Sequence, residues 1–485
     1  MGAKNGKEFL TRIKQLKPDL WIDGEHIEGS LTTHPTFRGL LHTKASLYDF
    51  QLSSEHLENM TYVSPTTGEA VGLSFLQPTS KHDLKKRRLM IQSWARETCG
   101  LMGRSPDYLN TVLMSFASST SILEGKENCF PENMLATYER ARENDLTFTH
   151  TFISPQVNRA PFYYETSDEP ISAKIVGKTS EGLIIKGAKL LATQGGLTDE
   201  LLVFSAPQLL PDPDEAFAFT LPSDTKGVRF ICRESFNGGD STFNYPLSSK
   251  FEEIDSIVIF DNVLVPWDRI FFYHNTDVAS AFFRTSSFHP FTVHQVISRQ
   301  VVKTEFILSL ANLLVETIKV SEYPHIQSKL SEIMIGLETM KALLEKSEHD
   351  ATLDPWGYMR PSILPLQVAS NLYPKVYPRF SEIIQQIGAS GLITIPTEKA
   401  FQSEIREDLM LYLQSATKSA EDRVKIFRIA WELTMSSFGT RQTQYERYFF
   451  GDPVRLASQL YRSYPKEEGM PMIESLIGSM SCKEN

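Results

Sequence analysis

Gly182-Leu-Ile-Ile-Lys-Gly187, Glu200-Leu-Leu-Val-Phe-Ser-Ala206, Phe217-Ala-Phe-Thr220, Val228-Arg-Phe-Ile-Cys232 and Ser256-Ile-Val-Ile-Phe260 follow one another with Gly, Pro, Asp and Asn between them. Short runs of β-branched and aromatic residues bounded by turn formers read as strands. Gly182 and Gly187 read as turns around the first run, and Asn237-Gly-Gly-Asp240 as another turn. Several such strands in sequence predict a barrel or a sandwich from about His150 to Phe272.

Outward from this stretch the texture changes on both sides. From Lys7 to about Thr147 it is mostly helical. Ser80 starts a helix with Leu84, Ile91, Trp94 and Ala95 on its apolar face, and Lys85-Lys-Arg-Arg88 reads as its solvated face. Ser105-Pro106-Asp107 reads as an N-cap with Pro at the first helical position, followed by Leu109, Val112, Leu113 and Phe116. From about Val278 the helical period returns, with Ile333, Leu337, Met340 and Leu344 on one face and Val424, Phe427 and Trp431 on another. Long amphipathic helices of this kind predict a bundle. Helices, strands and helices in that order are not a βαβ pattern, so a doubly wound dinucleotide fold is disfavoured. The expected class is α+β, in three units: 1–147 helical, 148–275 β, and 276–485 bundle.

Composition narrows the function classes. The chain has 485 residues, enough for about three domains on the usual size prior. Its formal charge of -10 argues against a nucleic-acid groove or an anionic membrane surface as the main partner. Cys99, Cys129, Cys232 and Cys482 are scattered without CxxC spacing, which disfavours structural zinc, an iron–sulfur ligand run and a disulfide scaffold. Met1 to Leu20 lacks the apolar core of a signal peptide, and Gly6 does not fit a myristoylation signal. Phe306 to Val315 is too short to span a bilayer, and the scattered cysteines make a reducing cytosol, a cytoplasmic location, the expectation.

GxGxxG, GxxxxGK[ST], HExxH and GxSxG are all missing. Three local constellations remain. In Gly103-Arg-Ser-Pro-Asp-Tyr108 a guanidinium and a phenol flank a helix start, where they could hold a phenolate or an oxyanion. An ordinary cap with a surface Arg explains the same residues. Thr149-His-Thr-Phe-Ile-Ser-Pro-Gln-Val-Asn-Arg159 puts a His, hydroxyls, amides and an Arg where helix gives way to strand. His suits proton transfer near neutrality, while a polar interdomain loop is the plainer reading. Lys186-Gly-Ala-Lys-Leu-Leu-Ala-Thr-Gln-Gly-Gly196 could present amides and a hydroxyl to a flat heterocycle, or simply be a hairpin turn. His289 and His294 stand beside an aromatic stretch without a third ligand nearby, which favours core or pocket wall over metal.

Together these residues resemble the oxygenase component of the two-component, FAD-dependent 4-hydroxyphenylacetate 3-monooxygenases. The resemblance runs from Thr33-His-Pro35 and Phe37-Arg-Gly39 through Gly103–Tyr108 and Asn158-Arg159 to Tyr445-Glu-Arg-Tyr-Phe-Phe-Gly-Asp-Pro453. Gly187-Ala-Lys with Thr193, and Phe260-Asp-Asn-Val-Leu-Val-Pro266, are shared more widely with the acyl-CoA dehydrogenase fold. The family implies a helical N-terminal domain, a central β-barrel and a C-terminal four-helix bundle in a homotetramer. It implies reduced FAD delivered by a separate flavin reductase, O2 adding to give a flavin hydroperoxide, and a phenol leaving as a catechol.

Carried over by position, Arg104, Tyr108 and His150 would bind the phenol oxygen, favour its phenolate and stabilise the hydroperoxide. Ser205 and Ala206 would lie near the substrate tail. His150, Thr151, Phe152, Gln156, Val157, Asn158, Arg159, Thr193, Phe450, Gly451 and Asp452 would line the flavin. No metal is implied. The rival readings are a 4-hydroxybutyryl-CoA dehydratase-like enzyme, which needs three Cys and one His around an iron–sulfur cluster, and a non-catalytic member of the fold. Flavin retention on desalting, with and without prior reduction, separates them.

Overall fold

Two sheets hold the strand-rich part of the chain, seen in a computed structural model that describes residues 2–156, 169–205 and 212–480. The first sheet takes β1 (Asp19–Ile22), β2 (Glu25–His26), β4 (Lys174–Lys178), β5 (Gly182–Thr193), β8 (Val228–Cys232) and β9 (Asp255–Pro266), in the order β2-β1-β8-β9-β5-β4. The second takes β3 (Phe148–Thr151), β6 (Glu200–Phe204), β7 (Phe217–Pro222) and β10 (Ile270–Tyr273), in the order β10-β7-β6-β3. The two share one core, in which Leu183, Ile185, Val203, Phe217, Phe219, Val258 and Phe260 are buried together.

The class is α+β, as expected, but the strands of this part form two sheets rather than one closed barrel, and two small two-stranded sheets stand apart from them among the described residues. The two sheets are joined by an isolated bridge between Ile153 and Leu190. A register shift makes it possible. Val258 faces Lys189 and Ser256 faces Ala192, so two residues of β5 oppose one of β9. Leu191 takes a φ of 61° at this bulge, and the Leu190 N–H donates to the Ile153 carbonyl at 2.7 Å.

Three local expectations are corrected. Gly187 lies inside β5 and does not end it; a Cβ there would stand 2.3 Å from the Ser172 carbonyl oxygen, so the glycine permits a close backbone approach. Gln194–Gly196 is not a hairpin turn, because it carries the chain from one sheet to the other. The segment expected to be helical supplies β1, which pairs parallel with β8 and extends the first sheet.

The helices follow the expected faces. In α1 (Lys81–Glu97) Leu84, Ile91, Trp94 and Ala95 are buried. Arg87 is buried with them, contrary to the solvated-face reading. Its guanidinium donates to the carbonyls of Ser74 at 2.7 Å and Leu76 at 3.0 Å and to Thr111 Oγ1 at 2.8 Å. Every residue of α2 (Pro106–Ala117) is buried. Beyond the sheets run α3 (Phe288–Ile318), α4 (Pro324–His349), α5 (Ile363–Gly388) and α6 (Ala420–Thr434), with α7 (Ser437–Tyr448) packed on α5 and α6. His294 of α3 is buried and paired with Glu348 at 2.9 Å, a packed bundle contact. No described helix is long and apolar enough to cross a membrane.

Candidate active site

The site is assembled from three distant segments. Pro106 starts α2, which sets Tyr108 in the first turn and leaves Arg104 just ahead of it. Ser105 does not cap the helix with its side chain. It donates instead to Asp107, whose other oxygen accepts from Gln295 of α3 at 2.8 Å, tying the helix start to the bundle. Strand β3 carries His150, held against β5 where the Thr149 hydroxyl donates to the Thr193 carbonyl at 2.6 Å. Helix α7 contributes Tyr445 and, just past its end, Phe449.

Arg104 is the hub. Its guanidinium carbon lies 4.2 Å from the Tyr108 ring centroid and 4.6 Å from that of Phe449. Its Nη1 donates to the Tyr445 hydroxyl at 2.7 Å, and its Nη2 stands 3.4 Å from His150 Nε2. The Tyr108 and His150 rings meet edge to face at 5.7 Å, and Phe152 and Phe204 close the far side of His150 at 5.3 and 5.6 Å. Beneath the hub, Glu253 accepts the backbone N–H groups of Gly103 at 2.9 Å and Arg104 at 2.7 Å. Gln194 donates to the Arg104 carbonyl at 2.9 Å, and its own carbonyl accepts from Lys44 at 3.0 Å. Burial brings the Lys44 ammonium down to about 8.

The electrostatics set protonation states. Burial, and then the Arg104 charge, push His150 well below its ordinary value, so the ring is neutral near pH 7. A guanidinium can only donate, so Nε2 accepts and the proton sits on Nδ1. That Nδ1 is buried and has no partner among the described residues. A buried donor left unpaired is costly, so it marks where a bound group would supply an acceptor. Burial raises the Tyr108 phenol, with Arg104 opposing it, so Tyr108 keeps its proton and can donate. A neutral His150 shows no proton NMR titration of its ring between about pH 6 and 8; a midpoint inside that window would mean a wet pocket or a displaced Arg104.

Arg104, Tyr108, His150 and Phe152 therefore stand together. Thr151 is buried and donates to the Leu190 carbonyl at 3.0 Å, so it braces β3. The Thr193 hydroxyl donates to Asp255 at 2.8 Å, and Asp255 is bound by Arg441 at 2.8 Å. Burial would raise the Asp255 carboxyl, but Arg441 and Arg233 outweigh it and hold it well below its usual range. Ser205 follows Phe204 and accepts the Phe217 N–H at 3.0 Å. Phe450 packs edge to face on Phe449 at 4.9 Å. Gly451 has a φ of 101° with Arg455 folded against it, and Asp452 caps α8 (Pro453–Ser463) by accepting the Arg455 N–H at 3.0 Å. Gln156 is exposed. Val157, Asn158, Arg159 and Ala206 lie outside the described residues.

Sequence reasoning missed Tyr445, Phe449, Phe204, Glu253 and Arg441. The one signal for the first two was their place in Tyr445–Pro453.

The α+β arrangement, with sheets between helices, is a fold also taken by an archaeal 4-hydroxybutyryl-CoA dehydratase from N. maritimus. That structure is 20% identical with a TM-score of 0.87, covering 100% of this chain and 96% of its own, a likeness of fold alone. The family pattern for the 4-hydroxyphenylacetate 3-hydroxylase N terminal matches residues 5–272, and that for its C terminal matches residues 279–478. The chain belongs to the 4-hydroxyphenylacetate 3-hydroxylase family. It is 62% identical over 477 residues to a probable 4-hydroxyphenylacetate 3-monooxygenase of Bacillus subtilis, covering 98% of this chain and 99% of the relative. A crystal structure of a 4-hydroxyphenylacetate 3-monooxygenase oxygenase component with FAD and 4-hydroxyphenylacetate is 42% identical with a TM-score of 0.94, covering 98% of this chain and 99% of its own.

Proposed function

We propose that the chain is a flavin-dependent monooxygenase, the oxygenase component that converts 4-hydroxyphenylacetate or a close phenol to its catechol with reduced FAD from a separate reductase. The observation that carries this reading is the Arg104–Tyr108–His150 cluster, with a buried His150 donor that has no partner among the described residues. Reduced FAD, when bound, supplies the electrons that activate O2. The residues that would hold it are His150, Thr151, Phe152, Thr193 and Phe450–Asp452, with Gln156–Arg159 from the adjoining segment.

The chain's own residues do the rest. Arg104 places a fixed positive charge where a phenol oxygen would sit and so favours the phenolate. A phenolate ring is richer in electrons at the carbon beside the oxygen, where the new hydroxyl enters. Tyr108 and the His150 Nδ1–H donate to oxygen atoms in the site without giving up their protons in the resting state. Phe152, Phe204 and Phe449 keep water from that charge, which strengthens each of these contacts. Ser205, just past the end of β6, and by its position in the family Ala206, would serve the substrate tail.

We also read the chain as three units, 1–147, 148–275 and 276–485, that assemble as a homotetramer in the cytoplasm. Supporting the assembly, Val454 and Tyr461 of α8 are 74% and 68% exposed in the single chain, as are Met472 at 73% and Ile473 at 54%.

The test is anaerobic titration with FAD in both redox states, then admission of O2 with a panel of phenols. Reduced FAD binds more tightly than oxidised FAD, and 4-hydroxyphenylacetate gives the most catechol. Equal affinities, or catechol from none of the phenols, would sink the reading.

A further inference from the structure

Helix α7 meets the active-site loop with one face. Arg441, Gln442, Tyr445 and Glu446 fall at i, i+1, i+4 and i+5, with Phe449 one turn further. Arg441 reaches Glu253 at 3.3 Å, the carboxylate that holds the Gly103 and Arg104 N–H groups. Gln442 donates to the Leu101 carbonyl at 3.0 Å. Glu446 binds Arg299, which donates to the Gly100 carbonyl at 2.8 Å. Residues 100–104 are thus strapped from one side by a single helix more than 330 residues away in sequence.

Within that strap only Tyr445 touches the Arg104 side chain with a polar atom. Its hydroxyl oxygen accepts from Nη1 at 2.7 Å, and its ring centroid lies 5.7 Å from the guanidinium carbon. The hydroxyl reaches this position only because residue 103 lacks a side chain: a Cβ there would stand 2.2 Å from it. Arg104 has long, flexible torsions and is only partly buried. The rings of Tyr108 and Phe449 attract the guanidinium face but leave it free to slide, whereas a hydrogen bond at one end fixes its rotation. With Nη1 held, Nη2 is the end left facing His150.

We propose that Tyr445 is a positioning residue whose hydroxyl fixes the Arg104 guanidinium between Tyr108 and His150, so that a bundle helix sets the ionisation of the bound phenol. The inference rests on the proposed role of Arg104 toward the phenol oxygen. Tyr445 acts through Arg104 and needs no contact with substrate.

The experiment uses full-length protein loaded anaerobically with reduced FAD and titrated with 4-nitrophenol, whose absorbance separates bound phenol from bound phenolate. Tyr445→Phe keeps the ring and removes the hydroxyl. It lowers the bound phenolate-to-phenol ratio at fixed pH by about tenfold, the worth of one hydrogen bond to a charged group. Reduced-FAD affinity and melting temperature stay near wild type. Gly103→Ala, which displaces the same hydroxyl from the other side, lowers the ratio in the same direction and covers the case in which Tyr445→Phe fails to fold. Arg104→Met is the control. If Arg104→Met lowers the ratio and Tyr445→Phe leaves it at the wild-type value, the positioning role is overturned and the reading of Arg104 stands. If Arg104→Met also leaves it unchanged, the reading of Arg104 falls and takes this inference with it.

Discussion

Arg104→Met lowers kcat/KM for 4-hydroxyphenylacetate by about a hundred- to a thousandfold, the usual loss for one preorganised donor at a developing charge. The side chain places a cation against both Tyr108 and His150, at 4.2 Å from the first ring and 3.4 Å from the second's Nε2. Methionine has similar length and fills the space between Tyr108 and Phe449, so the fold survives and the loss is electrostatic. The backbone of residue 104 stays held by Glu253 and Gln194, which bind its N–H and carbonyl and not its side chain. His150 loses the charge that helps burial depress its pKa, so its ring titrates closer to its ordinary value. Steady-state assays of catechol formation, with reduced-FAD affinity measured separately, check the result. A drop of less than tenfold would remove Arg104 from the catalytic set.

The largest stability effect belongs to Glu446. Its carboxylate accepts from Arg299 at 2.7 and 3.1 Å, from Lys303 at 2.8 Å and from Gln300 at 2.9 Å, all buried. Glu446→Ala strands two buried cations and costs about 3–5 kcal/mol, read as a fall in denaturant midpoint. Burial alone would raise the Glu446 carboxyl, but Arg299 and Lys303 outweigh it and bring it down to about 2 from an ordinary 4.5. A carboxyl depressed on folding stabilises the protein above its unfolded value and loses that contribution as pH falls toward its folded value. The gap between wild type and Glu446→Ala therefore narrows as pH falls from 4.5 toward 2. A gap that stays constant over that interval would show that the network does not hold a charged Glu446.

Helix faces and strand runs were legible because each depends on neighbours in sequence. Leu84, Ile91 and Trp94 repeat at the helical period and are all buried, and Val228–Cys232 is a strand at the expected residues. Arg87 was misread for the same reason. Its partners are the carbonyls of Leu73, Ser74 and Leu76, presented by a tight turn that nothing near Arg87 announces. Gly187 was misread because a glycine in a strand looks like a turn until the Ser172 backbone is seen against it. Arg104, Tyr108 and His150 could be named as candidates, yet each had a plain alternative as a cap or a loop. What brought them forward was the resemblance over nearly the whole chain and not local chemistry.

By itself the sequence determined the class of the fold, the order of helices, strands and bundle, and the three residues worth watching. Periodicity, turn chemistry and local capping are short-range, and they are written in adjacent residues. Only the tertiary structure decided that the strands make two bridged sheets, that His150 is neutral with its proton on Nδ1, and that Tyr445 and Glu253 hold Arg104 from 341 and 149 residues away. Desolvation and hydrogen-bond direction depend on what packs around a group, and that packing exists only once distant segments meet.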